Sequence, residues 1–248
     1  MTLIIHQFPC LSDNYCFLVR DEASGLAACI DTPDAQAILA ELAKLGWKLD
    51  LILNTHWHPD HAGGNAAIQA ATGATVVGPA EVERLTPVDR QVAGGDSVEL
   101  GQTRFEVIES GGHTLGHIAF YDAADRIAFV GDTLFALGCG RLFEGTAAQM
   151  WDSLSRLTAL PDDTAVYCAH EYTASNARFA LSVDSSPELK ARTEAIFAAR
   201  ERGEATVPTT IGLEKATNPF LRAPQLKPGM APHEAFGAVR AAKDSVKG

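Results

Sequence analysis

The first two thirds of the chain consist mainly of short apolar runs that are rich in β-branched residues and bounded by turn-forming residues. Such runs are typical of buried strands. They lie at residues 3–5, 16–19, 27–30, 49–53, 75–77, 104–108, 118–121, 126–130 and 165–168. The region up to about residue 170 is therefore predicted to be rich in strands.

Helical patterns interrupt these runs and then dominate the chain after residue 170. In the first helix, residues 33–45, Thr32 is the predicted N-cap, Pro33 the first helical residue, and Gly46 the end. Amphipathic patterns predict further helices at residues 61–71, 147–157, 173–181, 187–202 and 232–247. Residues 206–220, which contain Pro208 and Pro219, are predicted to be a connecting segment.

The composition is that of an ordinary globular protein. The chain has 248 residues, 46% of them hydrophobic and 21% charged, which suits one or two domains with their own core. The formal net charge of −11 disfavours binding to nucleic acids or anionic membranes, and no apolar stretch is long enough to span a bilayer. A small anionic substrate would have to be bound by a few local cations.

The cysteines and the N-terminus predict a cytoplasmic protein. The N-terminus lacks the basic and apolar regions of a secretion signal. The cysteines are odd in number and scattered, at Cys10, Cys16, Cys29, Cys139 and Cys168. This pattern fits reduced thiols in the core better than a disulfide framework, and Cys139 and Cys168 are predicted to be packed thiols.

The densest group of potential metal ligands follows the apolar run 49–53 and consists of His56, His58, Asp60 and His61. In an extended chain, residues two apart project to the same side, so His56 and His58 can bind one ion together. Pro59 ends the extended segment. Asp60 and His61 then fall at the start of the next helix, where they can bind a second ion.

Three further candidates occupy equivalent positions, because His113, Asp132 and His170 each follow an apolar run. In layered α/β folds, sites gather at the C-terminal ends of strands, so these side chains are predicted to join the first group. Imidazole and carboxylate ligands without thiolates suit zinc, iron or manganese.

The charges of these groups agree with two metal ions. Two divalent ions exceed the combined charge of Asp60, Asp132 and one bound hydroxide by about one positive charge, which would stabilise an oxyanion and a departing thiolate. A metal also lowers the pKa of its bound water from about 16 to about 7. The residues therefore predict a hydrolase.

These motifs resemble those of the metallo-β-lactamase superfamily. They are His56-x-His58-x-Asp60-His61, Gly112-His113-Thr114-Leu115-Gly116-His117, Gly131-Asp132-Thr133 and His170. Within the superfamily, the chain resembles the glyoxalase II (hydroxyacylglutathione hydrolase) family over nearly its whole length. This second resemblance rests on Asp13-Asn14-Tyr15, Gly138-Cys139-Gly140-Arg141, His170-Glu171-Tyr172-Thr173, Asn218-Pro219-Phe220-Leu221-Arg222 and a closing Phe236, Arg240 and Lys243-Asp244.

The resemblance implies an α+β fold. Residues 1–172 are expected to form a four-layer αβ/βα catalytic sandwich, and residues 173–248 a helical substrate-binding domain. It also implies two divalent metal ions, zinc with iron and manganese as alternatives. The implied ligands are His56, His58 and His113 on the first metal, Asp60, His61 and His170 on the second, and Asp132 bridging both.

The implied reaction is hydrolysis of the thioester of S-(2-hydroxyacyl)glutathione. S-D-lactoylglutathione would give glutathione and D-lactate, the second step of methylglyoxal detoxification, through a hydroxide that bridges the two metals. Asp60 and Asp132 are the expected catalytic carboxylates, and the expected glutathione contacts are Arg141, Phe143, Tyr172 and Arg222. We expect a monomer with a small-molecule substrate and no nucleic-acid or membrane partner.

The chain departs from the family pattern at two of these contacts. Arg141 stands where family members often have Lys, and Phe143 where they often have Tyr. Arg keeps the charge, but Phe cannot donate a hydrogen bond, which would weaken binding by roughly 0.5–1.5 kcal/mol. Among the remaining residues, His117 and Trp57 are predicted to pack beside the ligands, and Asp31 either to orient a ligand or to form a turn.

Two other functions remain alternatives to the hydrolase. A glutathione persulfide dioxygenase of the same fold would use a single iron, and a non-catalytic, metal-dependent scaffold would turn over no substrate. Nuclease, lactonase and β-lactamase activities fit the acidic charge or the helical C-terminal region poorly.

Overall fold

The computed structural model describes residues 3–245. The chain divides into two compact units. Unit 1 comprises Met1–Glu109 and Thr114–Gly131, and unit 2 comprises Ser110–His113 and Asp132–Gly248. Among the described residues, no helix is both long enough and apolar enough to span a membrane.

The first sheet of unit 1 determines where the candidate ligands lie. Its strands follow the order β1 (Leu3–Cys10), β2 (Asn14–Asp21), β3 (Ala27–Ile30), β4 (Leu49–Leu53), β5 (Thr75–Gly78) and β6 (Arg90–Gln91). The β1–β2 and β2–β3 pairs are antiparallel, and the strands from β3 to β6 pair in parallel. Because parallel strands end at the same edge, the segments that follow β3, β4 and β5 lie side by side.

Helices cover this sheet and form a buried core with it. They are α1 (Ala35–Leu45), α2 (Pro59–Ala62), α3 (Asn65–Thr72) and a 3-10 helix at Ala80–Arg84. Ile38 from α1 and Ile68 from α3 pack with Leu18, Ile52 and Val76 from the strands. These side chains are almost completely buried, and removing such apolar area from water is the main stabilising contribution.

A second sheet of unit 1 is an antiparallel meander of β7 (Ser97–Leu100), β8 (Thr103–Glu109), β9 (Ile118–Asp122) and β10 (Ile127–Gly131). Phe129 of β10 contacts Phe17 of β2 and Phe105 of β8, with ring centroids 5.5 and 6.3 Å apart. The Phe17 contact joins the two sheets of this unit.

Unit 2 combines short strands with helices. Its strands are β11 (Leu134–Phe135), β12 (Gly138–Cys139), β13 (Ala165–Cys168) and β14 (Thr209–Thr210). Its helices are α4 (Ala147–Thr158), α5 (Thr173–Val183), α6 (Pro187–Glu201), α7 (Ile211–Thr217), α8 (Ala223–Leu226) and α9 (Pro232–Ser245). Leu137, Ala180, Leu189 and Ile196 form one buried cluster, and Phe220 and Phe236 are also fully buried.

The predicted strands all overlap observed ones, but two helix predictions need correction. Asp34, not Thr32, caps α1, and its carboxylate accepts from the backbone N of Ala37. The Thr32 hydroxyl instead donates to Asn65. The predicted helix 61–71 is two helices, α2 and α3, separated by Gly63 and Gly64. Gly64 lies against the Thr32 backbone, where a Cβ would approach the Thr32 carbonyl oxygen to 2.6 Å.

Two further predictions were wrong. Residues 206–220 are not only a connection, since they contain β14 and helix α7; the Thr210 hydroxyl caps this helix by accepting from Leu213 N. Cys10 and Cys16 are not reduced thiols, because they form a disulfide. The β1–β2 hairpin brings these two cysteines together near its turn, where Cys10 faces Asn14 and Cys16 faces Phe8. The end of the predicted helix 232–247 lies outside the described residues.

Candidate metal centre

His56 and His58 follow the end of β4 and point their rings toward each other. Their Nε2 and Nδ1 atoms are 3.1 Å apart, and His56 is completely buried. Nitrogen ligands on one tetrahedral zinc ion, at bond lengths of about 2.0–2.1 Å, are separated by about 3.3 Å. The pair can therefore bind one ion, as the spacing of these residues predicted.

Asp60 and His61 lie in the short helix α2, which begins at Pro59. His61 Nε2 is 3.5 Å from Asp60 Oδ2. The same carboxylate oxygen accepts a hydrogen bond from Asn14 Nδ2 at 3.3 Å, so the turn of the β1–β2 hairpin helps to position Asp60. Asp60 remains partly exposed whereas His61 is buried.

Asp31, at the end of β3, orients this group. Its carboxylate accepts from Thr55 N at 2.7 Å, from the Thr55 hydroxyl at 2.8 Å and from His61 Nδ1 at 2.9 Å. Asp31 itself has a φ of 57°, a left-handed conformation that costs energy outside glycine and is common at functional sites. Of the two roles expected for Asp31, the hydrogen bonds favour orientation of a ligand.

These hydrogen bonds fix the protonation of two imidazoles. A carboxylate only accepts, so His61 Nδ1 carries the hydrogen and Nε2 carries the lone pair. The Thr55 hydroxyl donates to Asp31, so it accepts from His56 Nδ1 at 3.0 Å, which leaves the lone pair on His56 Nε2 as well. Both nitrogens are thereby prepared to bind a metal.

His117 packs against this group, as predicted. Its ring stacks on that of His56, with centroids 4.7 Å apart and an interplanar angle of 27°. The adjacent backbone is joined by a hydrogen bond from Ile118 N to Thr55 O at 3.0 Å. His117 thus restrains the ring of a candidate ligand.

In unit 2, the Asp132 carboxylate lies between two histidines. Asp132 Oδ2 is 3.4 Å from His113 Nε2, and Asp132 Oδ1 is 3.3 Å from His170 Nε2. The carbonyl oxygen of Arg141 accepts a hydrogen bond from His113 Nδ1 at 2.9 Å, which places the lone pair of this ring on Nε2. A carboxylate with each oxygen facing a different imidazole has the arrangement of a bridging ligand.

The donor set in each unit fits a divalent metal. His61 Nε2 faces Asp60, and His113 Nε2 faces Asp132, so in each pair a nitrogen lone pair confronts a carboxylate oxygen at 3.4–3.5 Å. Such pairs repel unless a cation or a proton lies between them. The ligand types, nitrogen and oxygen without sulfur, are those of zinc, iron and manganese sites.

Aromatic side chains cover the histidines of unit 2. Tyr172 stacks on His170 with centroids 4.6 Å apart and an interplanar angle of 2°, and Phe143 contacts the His113 ring edge-on at 5.2 Å. Both aromatic side chains are exposed, Phe143 to 63%. Phe143 and Tyr172, two of the predicted substrate contacts, therefore present apolar surface next to candidate ligands.

Several cationic side chains of unit 2 lie near one another around Lys243. Burial lowers the pKa of Lys243, and the neighbouring charges of Arg240, Arg178 and Arg141 lower it further. These four residues therefore form a local positive group in an acidic chain, in which Arg240 is buried and ion-paired with Asp244. The sequence singled out Arg240 and Lys243 only as part of the family resemblance. Arg222, by contrast, forms an ion pair with Asp184 at 3.3 Å and donates to the Ala216 carbonyl.

Cys139 and Cys168 are free and buried, which confirms that they are packed thiols. Burial raises the pKa of Cys139 to about 11 and that of Cys168 to about 12. Both stay protonated near neutral pH, so neither competes with imidazole and carboxylate as a metal ligand.

Comparison with known proteins identifies first the class. Residues 15–170 match the metallo-beta-lactamase superfamily. Among solved structures, ETHE1 from Myxococcus xanthus is 30% identical with a TM-score of 0.73, covering 98% of this chain and 92% of that one. The B3 metallo-beta-lactamase BLEG-1, at 22% identity and a TM-score of 0.69, covers 88% of this chain and 99% of its own, and shares the fold. The chain is therefore an α+β protein with the four-layer αβ/βα fold of this superfamily.

The C-terminal region and whole-chain relatives identify the family. Residues 171–246 match the hydroxyacylglutathione hydrolase C-terminus. Hydroxyacylglutathione hydrolases from Erythrobacter litoralis and Maricaulis maris are 57% and 54% identical, each covering 98% of this chain and at least 98% of its own length. The chain belongs to the hydroxyacylglutathione hydrolase family of thioester hydrolases. This fold and its groups of His and Asp side chains indicate a divalent-metal site.

Proposed function

We propose that the seven candidate ligands bind two divalent metal ions. His56, His58 and His113 would bind the first, Asp60, His61 and His170 the second, and Asp132 would bind both. Support comes from the donor pairs within each unit: His56 with His58 and Asp60 with His61 in unit 1, and Asp132 between His113 and His170 in unit 2. The positions of both Asp132 oxygens, each facing a different imidazole, also support a bridging carboxylate.

The activity is hydrolysis of the thioester of an S-(2-hydroxyacyl)glutathione, with S-D-lactoylglutathione as the proposed substrate and glutathione and D-lactate as products. The observation that carries this conclusion is the whole-chain similarity to hydroxyacylglutathione hydrolases, which includes the C-terminal region. A match to the superfamily region alone would leave the substrate open.

The side chains of this protein prepare the site for that reaction. When bound, the metal ions supply hydroxide near neutral pH and polarise the substrate carbonyl. Asp31, Thr55 and the Arg141 carbonyl hold His61, His56 and His113 with their Nε2 lone pairs available. Asp60 and Asp132 contribute negative charge that balances the cations. Their fixed positions reduce the reorganisation needed in the transition state.

The four proposed glutathione contacts all lie in unit 2. Phe143 and Tyr172 are exposed aromatic side chains, and the cation of Arg141, two residues before Phe143 in the chain, interacts with the charge of Lys243. Glutathione carries two carboxylates, so such a group can bind it despite the net charge of −11. Arg222 also remains a proposed contact, although its ion pair with Asp184 would have to open or be shared.

We also propose zinc as the metal, a boundary between catalytic and substrate-binding domains near residue 172, a monomeric state and a cytoplasmic location. The matched regions meet at residues 170 and 171, which supports this boundary. Donor types support zinc but also suit iron and manganese. Nucleic acid is not a proposed partner, because the chain is acidic.

The test is a metal count and a thiol-release assay on the same protein, purified without chelator. We expect two metal ions per chain, rapid release of glutathione from S-D-lactoylglutathione, and loss of turnover in His56→Ala. Turnover no faster than in buffer, with metals bound, would refute the proposal. A single iron with oxygen uptake on glutathione persulfide would favour the dioxygenase instead.

A further inference from the structure

The 3-10 helix at Ala80–Arg84 contacts two segments that contain or adjoin the histidines of the first proposed metal. One segment, residues 55–58, contains His56 and His58. The other, residues 114–117, directly follows His113 in the chain. The helix itself carries no proposed ligand, so its side chains Glu81 and Arg84 need another explanation.

Glu81 binds the second of these segments through both carboxylate oxygens. Oε1 accepts from the Thr114 hydroxyl at 2.5 Å, and Oε2 accepts from Gly116 N at 2.6 Å. These lengths are typical of charge-assisted hydrogen bonds. The approach also requires glycine, since a Cβ on Gly116 would lie 2.8 Å from Glu81 Oε2.

Arg84 binds the first segment through Trp57. Its guanidinium carbon lies 3.9 Å from the centroid of the Trp57 ring, a cation–π contact. The Trp57 ring in turn meets the His58 ring edge-on, with centroids 4.9 Å apart. Trp57 lies between two candidate ligands in the chain, so restraint of its side chain also restrains His58.

The two segments are already joined to each other by the Ile118 N to Thr55 O hydrogen bond and by the stacking of His117 on His56. Glu81 and Arg84 add side-chain contacts from a third element. Residues 55–58, residues 114–118 and the 3-10 helix therefore restrain one another, and the backbone next to His58 and His113 is fixed from outside the ligand set.

We propose that Glu81 and Arg84 are positioning residues for the first metal: Glu81 fixes the backbone that follows His113, and Arg84 fixes His58 through Trp57. This inference rests on the ligand assignment proposed above. It goes beyond that assignment because neither residue touches a metal or the substrate. Both side chains act by reducing the freedom of the ligands before the metal binds.

The test measures metal affinity directly, by competition with a chromophoric chelator in the metal-reconstituted protein. In Glu81→Ala, we expect one of the two bound ions to bind about tenfold more weakly while the other is retained, as for other residues that support ligands. In Arg84→Ala, we expect a two- to fivefold loss on the same ion, the range for one exposed cation–π contact. Turnover should fall in parallel, with KM little changed.

Two variants separate positioning from charge and from general stability. In Glu81→Gln, the amide oxygen can accept from Gly116 N and the amide nitrogen can donate to the Thr114 hydroxyl, so this variant should retain most of the metal affinity. If Glu81→Gln binds as weakly as Glu81→Ala, charge and not positioning is responsible, and the proposal is wrong. Glu83→Gln, at an exposed position of the same helix, should bind both ions like the wild type.

The remaining outcomes are also decisive. Should Glu81→Ala fail to fold, Arg84→Ala and Thr114→Val test the same two contacts with smaller changes. Unchanged affinity for both ions in these variants would overturn the inference. A wild-type protein that binds no metal pair would instead refute the proposed function, so the two failures are distinguishable.

Discussion

Replacement of Asp31 by Asn tests whether a buried carboxylate prepares His61 for metal binding. Asn tolerates the left-handed φ of 57° at this position better than most residues, so the backbone should persist. Its amide oxygen can still accept from Thr55 N, in place of Asp31 Oδ1. The amide nitrogen replaces Oδ2, and it cannot accept the hydrogen bond that His61 Nδ1 donates.

Asp31 Oδ2 accepts from both the Thr55 hydroxyl and His61 Nδ1, and the expected loss follows chiefly from the bond to His61. His61 would turn to the tautomer that accepts at Nδ1, and the hydrogen would move to Nε2, the nitrogen proposed to bind the second metal. A hydrogen bond to a charged group contributes about 1.5–3 kcal/mol. This agrees with the 10- to 100-fold losses of metal affinity that are typical when a residue supporting a ligand is removed. We therefore expect the second ion to bind roughly 10- to 100-fold more weakly in Asp31→Asn.

Chelator competition on the reconstituted protein measures this affinity, and the thiol-release assay measures turnover. Asp34→Asn is the matched control, because Asp and Asn are equally good N-caps and Asp34 caps α1 three residues further along the chain. The control should bind both ions normally. If both affinities in Asp31→Asn stay within about twofold of the wild type, the hydrogen bond to Asp31 does not determine the tautomer of His61, and the reasoning is wrong.

Three further predictions concern stability. Burial raises the pKa of Asp122, so the folded state loses stability as pH rises through that pKa. Asp122→Asn does not titrate, so its free energy of unfolding should rise relative to that of the wild type between pH values below 3.8 and neutral pH. A difference that does not change with pH would contradict this. Arg192→Met leaves the fully buried carboxylate of Glu214 without its ion pair. The free energy of unfolding in denaturant should fall by about 3–5 kcal/mol. Arg202→Met, at an exposed ion pair, is the control and should change it little. Reduction of the Cys10–Cys16 disulfide should lower stability by about 2 kcal/mol for a loop of this length, and Cys10→Ala should show no response to reductant in the same thermal melt.

The candidate ligands could be selected from the sequence because they follow local rules. His56 and His58 are two residues apart in an extended segment, and Asp60 and His61 follow a proline that starts a helix. His113, Asp132 and His170 follow apolar strands, which the alternation of apolar and turn residues reveals. Spacing and strand ends thus determined the candidates without knowledge of how the chain packs.

Apart from Asp31, His117 and Trp57, the supporting residues could not be predicted, because their contacts join distant parts of the chain. Glu81 and Gly116 are 35 residues apart, and Lys243 reaches Ser175 across 68 residues. The same limit explains the error at Thr32, whose hydroxyl binds Asn65 instead of capping α1. The disulfide is different, because a hairpin with cysteines six residues apart could have suggested it. The odd number of cysteines outweighed that signal.

Substrate choice and hydrolysis depend on different parts of this protein. Imidazole and carboxylate groups are the proposed means of hydrolysis. The metallo-beta-lactamase BLEG-1 has the same fold at only 22% identity, so the fold does not select glutathione. The chain is acidic overall, so selection of an anionic thioester needs local positive charge. Arg141, Arg178 and Lys243 are proposed to provide it, and the last two lie within the region that matches the hydroxyacylglutathione hydrolase C-terminus. Arg240 is buried, and its guanidinium is paired with Asp244. Substitutions in this cationic group should therefore change KM for glutathione thioesters, while those among the ligands and their supports should change turnover.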